Sequence, residues 1–271
     1  VRPPAGPPAA IRLGRLHVDA LDRAGSIDAI ATLIASGRGG RVFTPNLDHV
    51  RLADELPAFR EAYARAAISI VDGMPLVWAS RLFGTPLRER VAGADLVVPL
   101  CARAAREGWR VMLLGGAPDS AAAATRHLVA QCGTTIVSTL TPRVELDDRS
   151  GDAVLIAAIR AHQPHLVFVA LGSPKQEVWI DRVADAVHPA VLIGVGAAFD
   201  FVAGRVRRAP AWIGRLGLEW LFRLVHEPGR LWRRYLIAGP RGLWLLLRTP
   251  RDEAMEAASL PPTSRLSSHG P

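Results

Sequence analysis

A chain of 271 residues, 49% of them hydrophobic, has enough apolar side chain for one large domain or a domain with an appendage, which excludes global disorder. Its net charge of +8 is concentrated locally: between Phe201 and Arg251 eleven Arg face only Glu219 and Glu227, while the rest is close to neutral. Cys101 and Cys132, the only cysteines, lack metal-type spacing, so a reduced intracellular protein is expected rather than a disulfide scaffold.

The start, VRPPAGPPAAIRLG, lacks the apolar region of a signal peptide. No apolar run reaches the ~20 residues of a spanning helix. The nearest, Tyr235 to Leu247, is interrupted by Gly239-Pro240-Arg241-Gly242. A soluble or peripheral protein is expected.

Residues 1–10 and 251–271 read as disordered extensions. Ile11 to Leu21 alternates as a strand or hairpin does. Ile27 to Ser36 has helical spacing, with Ser26 as its N-cap. Arg41 to Phe43 reads as a strand, followed by Thr44-Pro45-Asn46 and a helix to about Ala64. Ile68 to Val71 is the next strand, closing on Asp72-Gly73-Met74-Pro75. Asp95 to Glu107 is helical. Val111 to Leu114 feeds Gly115-Gly116-Ala117-Pro118 and an Ala-rich helix. A short strand over Thr135 to Val137 precedes a helix from Asp152 to His162. His165 to Ala170 is a strand ending in Gly172-Ser173-Pro174, with a helix through Val183. Ala190 to Ile193 reaches Gly194-Val195-Gly196.

Continuous apolar strands alternating with helices predict an α/β fold: a Rossmann-like, mostly parallel sheet covered on both faces. The expected division is an α/β domain over 11–205 and a helical, basic appendage over 206–250. Ligands of such sheets bind beyond the carboxyl ends of the strands. The loops at Thr44, Asp72, Gly115, Gly172 and Gly194 should therefore share one rim.

Each loop admits a structural and a functional reading. Thr44 and Ser173 fit as N-caps, and Gln176 completes a capping box with Ser173. The same arrangement aims backbone amides at a phosphate. Gly115-Gly116 and Gly194-Val195-Gly196 do not complete a dinucleotide fingerprint. Asp72 closes an apolar strand, where a partly desolvated carboxylate suits a general base or caps a turn equally well. Asp200 has the same two readings. The eight His lack metal-ligand spacing, so no metal is expected. The Arg- and Trp-studded tail suits an anionic membrane surface. Nucleic acid is disfavoured because no helix-turn-helix, RNP or OB pattern accompanies it.

TPNLDHV (Thr44–Val50), VDGMPLVWASRLFGTPLRERVAGADL (Val71–Leu96), LLGGAPDS (Leu113–Ser120), ALGSPKQEVWI (Ala170–Ile180) and GVGAAFDFVAGRVRRAPAWIGRLGLEWLFRL (Gly194–Leu224) occur in one order. This set resembles the WecG/TagA/CpsF family of bacterial glycosyltransferases over roughly residues 11–248. The resemblance implies a GT-E type fold and an inverting, metal-independent transferase, peripheral on the cytoplasmic membrane face. It implies transfer of an N-acetylmannosamine-type sugar, or a related hexose or uronic acid, from a UDP-sugar to an undecaprenyl-diphosphate-linked saccharide. The products would feed teichoic acid, common antigen or exopolysaccharide.

By the same resemblance Asp72 is the general base, with Thr44, Asn46 and Arg90 beside it. Gln176 matches a further polar residue of that pocket; with Gly115, Gly172, Gly196 and Asp200, which the strand-end loops supply, it makes the expected nucleotide-binding set. Arg223, Arg230 and Arg233 of the appendage would meet the diphosphate or acceptor. Val71 and Met74-Pro75 depart from the usual pattern around the Asp-Gly pair. A non-catalytic nucleotide- or anionic-lipid-binding module is the alternative, and the oligomeric state is left open.

Overall fold

The computed structural model describes residues 10–206, 210, 213, 219–226, 229, 232, 236 and 238–248. Ile11 to Leu21 resolves into a hairpin, β1 (Ala10–Leu13) with β2 (Leu16–Asp19), antiparallel. The remaining strands are β3 (Gly40–Phe43), β4 (Ile68–Ser69), β5 (Arg110–Gly115), β6 (Thr135–Leu140), β7 (Leu166–Ala170) and β8 (Val191–Gly194). They form one six-stranded sheet in the order β4-β3-β8-β7-β5-β6, every pair parallel. All residues of β7 and β8 are buried, as expected of central strands covered on both faces. The edge strand β6 keeps partly exposed residues.

Alternate strand residues feed two cores. Phe43, Met112, Leu114, Val167, Val169 and Leu192 face one side, and Val42, Leu113, Phe168 and Ile193 the other, the period of 2 that extended chain imposes. The first core is covered by the hairpin and by helices α2 (Leu47–Glu55), α3 (Pro57–Ala64), α4 (Met74–Leu82), α7 (Asp152–His162) and α8 (Lys175–Val183). The second is covered by α1 (Arg23–Ala35), α5 (Gly93–Glu107), α6 (Pro118–Cys132) and α9 (Ala198–Val202).

Local details correct the sequence reading. Asp22, not Ser26, caps α1, its carboxylate accepting from Gly25 N–H at 2.8 Å. The helix expected to run to Ala64 is two, because Pro57 cannot continue the amide ladder of α2 and opens α3 instead. Helix α4 was not anticipated: Leu76, Val77, Ala79 and Ser80 are buried while Trp78 and Leu82 are exposed, a pattern apolar on both faces.

Among the described residues beyond α9 are the helices α10 (Glu219–His226) and α11 (Gly239–Leu247). α11 packs on α2 and α4, and its Leu246 is fully buried in the first core. Among the described residues no helix is long and apolar enough to cross a membrane.

Cys101 on α5 and Cys132 on α6 are unbridged. Burial, with a contribution from Cys132, pushes the Cys101 thiol up to about 12, and burial also raises Cys132. The thiolate is the reactive form. At pH 8 a thiol reagent is expected to modify no more than one equivalent in the folded protein, at Cys132, and two after unfolding. Rapid native labelling of Cys101 would contradict the packing of α5 on the sheet.

Candidate active site

Parallel strands bring their carboxyl ends to one rim, where the loops stand in the order of the strands: Asp72 after β4, Thr44 and Asn46 after β3, Gly194–Gly196 after β8, Gly172 after β7, Gly115 after β5. At about 4.8 Å between strands, roughly 14 Å separates the exit of β4 from that of β7. The chain leaves β3 and β7 toward the first core and β8, between them, toward the second. Loops that part to opposite faces open a crevice at such a position.

Asp72 is anchored by its main chain, its N–H donating to Pro45 O at 2.7 Å. Its carboxylate is 27% exposed and 3.4 Å from Arg90 Nη1, while Arg90 Nη2 lies 3.6 Å from Asp95 Oδ2. Arg90 is set in place by the adjoining Val91, whose N–H bonds Val71 O at 2.8 Å. One guanidinium thus bridges a carboxylate at the rim and one in the first turn of α5.

Asn46 caps α2 and accepts from Asp48 N–H at 3.0 Å. Its neighbour across the rim is Gly73, where an added Cβ would stand 3.5 Å from Asn46 Cα. Thr44 is not the cap expected of it. It directly follows β3 and precedes the Asn46 cap by two residues, is buried, and its Oγ1 donates to Gly194 O at 3.4 Å. Gly93 completes this junction: a Cβ there would meet Thr44 Oγ1 at 3.0 Å and Gly194 O at 3.1 Å.

The capping box also fails. Pro174 occupies the cap position of α8 and no side chain bonds the helix start. Gln176 turns inward instead, 4% exposed. Its Oε1 accepts from Gly196 N–H at 3.0 Å and its Nε2 donates to Glu177 Oε1 at 2.7 Å. Gly196 and Gly172 have φ of +57° and +76° with open space around them, so backbone conformation rather than crowding demands glycine there. Gly115 has a packing reason, since a Cβ would come within 2.6 Å of Ala170 O. Asp200 is in the first turn of α9, half-buried, its carbonyl accepting from Arg205 N–H at 2.9 Å.

Beneath the rim, Glu177 lies 4.0 Å from His49 Nε2, and His49 Nδ1 is 2.7 Å from Tyr63 Oη. Burial, then the charges of Glu177 and Asp72, raise the Tyr63 phenol well above its usual range. Among the described residues no group of three or more His, Cys, Asp or Glu is placed to hold a metal ion.

A model described as the glycosyl transferase WecG/TagA/CpsF family matches residues 11–255. The chain belongs to that family. The match runs from the hairpin through α11 and takes in every rim loop of this glycosyl transferase. Of the appendage arginines, Arg223 lies on α10, and Arg230 and Arg233 lie outside the described residues.

Sequence reasoning assigned no individual role to Gly93, Asp95, Glu177 or His49. A signal existed for Glu177: it falls on one helical stripe with Ile180 and Ala184, all buried, a charged residue at apolar spacing. Gly93 and Asp95 carried none, because their neighbours arrive from β3, β8 and the segment before α5.

Proposed function

We propose that this chain transfers N-acetylmannosamine, or a related hexose or uronic acid, from its UDP derivative to an undecaprenyl-diphosphate-linked saccharide, with inversion and without a metal ion. The observation that carries the reading is Asp72: a partly exposed carboxylate at the crevice of a glycosyl transferase sheet, with Arg90 beside it. Asp72 takes the proton of the acceptor hydroxyl as that oxygen bonds the anomeric carbon. The C–O bond to UDP breaks, and its electron pair leaves with the diphosphate. Arginines of the C-terminal stretch, Arg223, Arg230 and Arg233 among them, neutralise that charge.

The glycine side of the rim, Gly172 to Gly196 with Asp200, would take the nucleotide, and Gln176 stands buried behind it. Gly115 lies one strand further. The acceptor lipid places the enzyme on the cytoplasmic membrane face. Exposed Trp220, Leu221 and Val225 on α10 and Leu243, Trp244 and Leu247 on α11 support that placement, as does Arg248 stacked 4.1 Å over Trp244. Wall teichoic acid, common antigen and exopolysaccharide assembly are the pathways this reaction would serve.

UDP should raise the melting temperature of the full-length protein equally with and without EDTA. At about 100 times its Kd the ligand contributes ~2.7 kcal/mol, easily read in a thermal scan. A screen of UDP-sugars with a synthetic lipid-diphosphate-linked acceptor should yield product in EDTA. Binding or turnover abolished by EDTA would reject the metal-free reading, and no response to any UDP compound would reject the donor.

A further inference from the structure

Glu177 is a carboxylate at 1% exposure, surrounded by the first core. Burying an ion is strongly unfavourable unless directed partners hold it, and the partners here point toward the rim. Gly196 N–H can only donate, so the Gln176 atom 3.0 Å away must be Oε1. That choice turns Nε2 toward Glu177 Oε1 at 2.7 Å, which makes the carboxylate the acceptor.

On the other arm, a negative Glu177 favours the proton of His49 on Nε2, 4.0 Å away. His49 Nδ1 then accepts from the Tyr63 hydroxyl at 2.7 Å. The T-shaped contact of His49 with Phe59, 5.3 Å between ring centroids, keeps the imidazole in place. Glu177 on α8 is thereby linked to the β8 loop through Gln176 and faces α2 and α3 through His49 and Tyr63.

Room for this arrangement is built into β8. A Cβ at Gly194 would stand 3.0 Å from Gln176 Nε2 and 3.2 Å from its Cδ, so the carboxamide lies closely against the strand end at a residue without a side chain. Gly196 N–H is in turn committed to Gln176, so that amide shapes the turn rather than contacting a phosphate.

We propose that Glu177 is a positioning residue for the donor side of the rim. Through the Gln176 carboxamide it holds the Gly194–Gly196 turn in the form that receives the nucleotide. The ligand part of this statement rests on the UDP-sugar reading above; the part about the turn does not. Glu177 acts through Gln176 and does not touch substrate.

The test compares full-length Glu177→Gln, Gln176→Met and the double variant by amide exchange and by calorimetry with UDP. Each single substitution should speed exchange at Gly196 about tenfold, the equivalent of roughly one net hydrogen bond. UDP affinity should fall by about the same factor, while the β7 amides stay as protected as in the wild type. The double variant should be no worse than Gln176→Met alone, because one residue works through the other.

Wild-type exchange at Gly196 in either single variant overturns the proposal, as do additive effects in the double. Loss of β7 protection in Glu177→Gln overturns it too, since Glu177 would then support the core as a whole. If the wild type binds no UDP, the donor reading fails, and the Gly196 exchange rates alone decide the positioning claim.

Discussion

Replacing Asp72 with Asn is expected to lower sugar transfer about a thousandfold, within the range by which a positioned general base accelerates reactions, while UDP affinity stays within about twofold. Asn has the shape of Asp but cannot take a proton from the acceptor hydroxyl. The substitution should be tolerated by the fold for two reasons. The residue is anchored by its own main chain to Pro45 O, which the side chain does not affect. Arg90 keeps its second carboxylate, Asp95, at 3.6 Å. Steady-state turnover with a lipid-diphosphate-linked acceptor and calorimetry with UDP measure the two halves separately. Turnover equal to wild type would remove Asp72 from the role of base, and loss of UDP binding would move it to the donor subsite.

Gly242→Val should be the most damaging single change outside the rim. A Cβ at residue 242 would stand 2.6 Å from Leu47 O and 3.2 Å from Leu47 Cγ. The first of these is main chain, so no rotamer relieves it, and α11 must shift away from α2. Leu246, one turn further on and fully buried, would lose its place in the core. Losing that burial costs about 2 kcal/mol, or ~4–8 °C in Tm for a domain of this size.

The displacement should also reach the chemistry. α2 begins at the Asn46 cap, and the Pro45 carbonyl just before it holds Asp72. A shift of about 1 Å in such a support can lower a rate ~100-fold. Arg241→Ala is the matched control. Its pairs with Glu55 and Asp54, at 3.3 and 3.9 Å, are more than half exposed on the Arg side, and pairs of that kind contribute only about 0–1 kcal/mol. A Gly242→Val protein with wild-type Tm and turnover would show that α11 does not brace the site.

Much of the architecture is legible in the sequence. Runs such as Val111 to Leu114 and His165 to Ala170 alternate with helical patterns, and that alternation is enough to imply a parallel sheet and one rim for all the loops. Asp72 could be singled out because it ends an apolar run. Helix α4 escaped notice because Trp78 and Leu82 blur its polar face. β6 proved longer than Thr135 to Val137, since Ser138 and Thr139 carry the ladder onward beside β5 without adding apolar signal.

What the amino-acid order alone determined was therefore local: the period of each segment, the glycine-bearing loops at the strand ends, the concentration of Arg after residue 201. The assignment of side chains to partners was decided only by the tertiary structure. Thr44 and Ser173 have the chemistry of caps, yet one bonds a strand 150 residues away and the other caps nothing. Gln176 fits a capping box and is used across the sheet at Gly196. α11, part of a stretch that reads as an appendage, lays Gly242 against Leu47 and buries Leu246 in the core on one face of the sheet. The reason is physical: backbone preference and hydrophobic period act over a few residues, whereas the alternative bonds open to a polar side chain differ by only about 1 kcal/mol. Whichever partner the packed sheet brings within 3 Å decides among them.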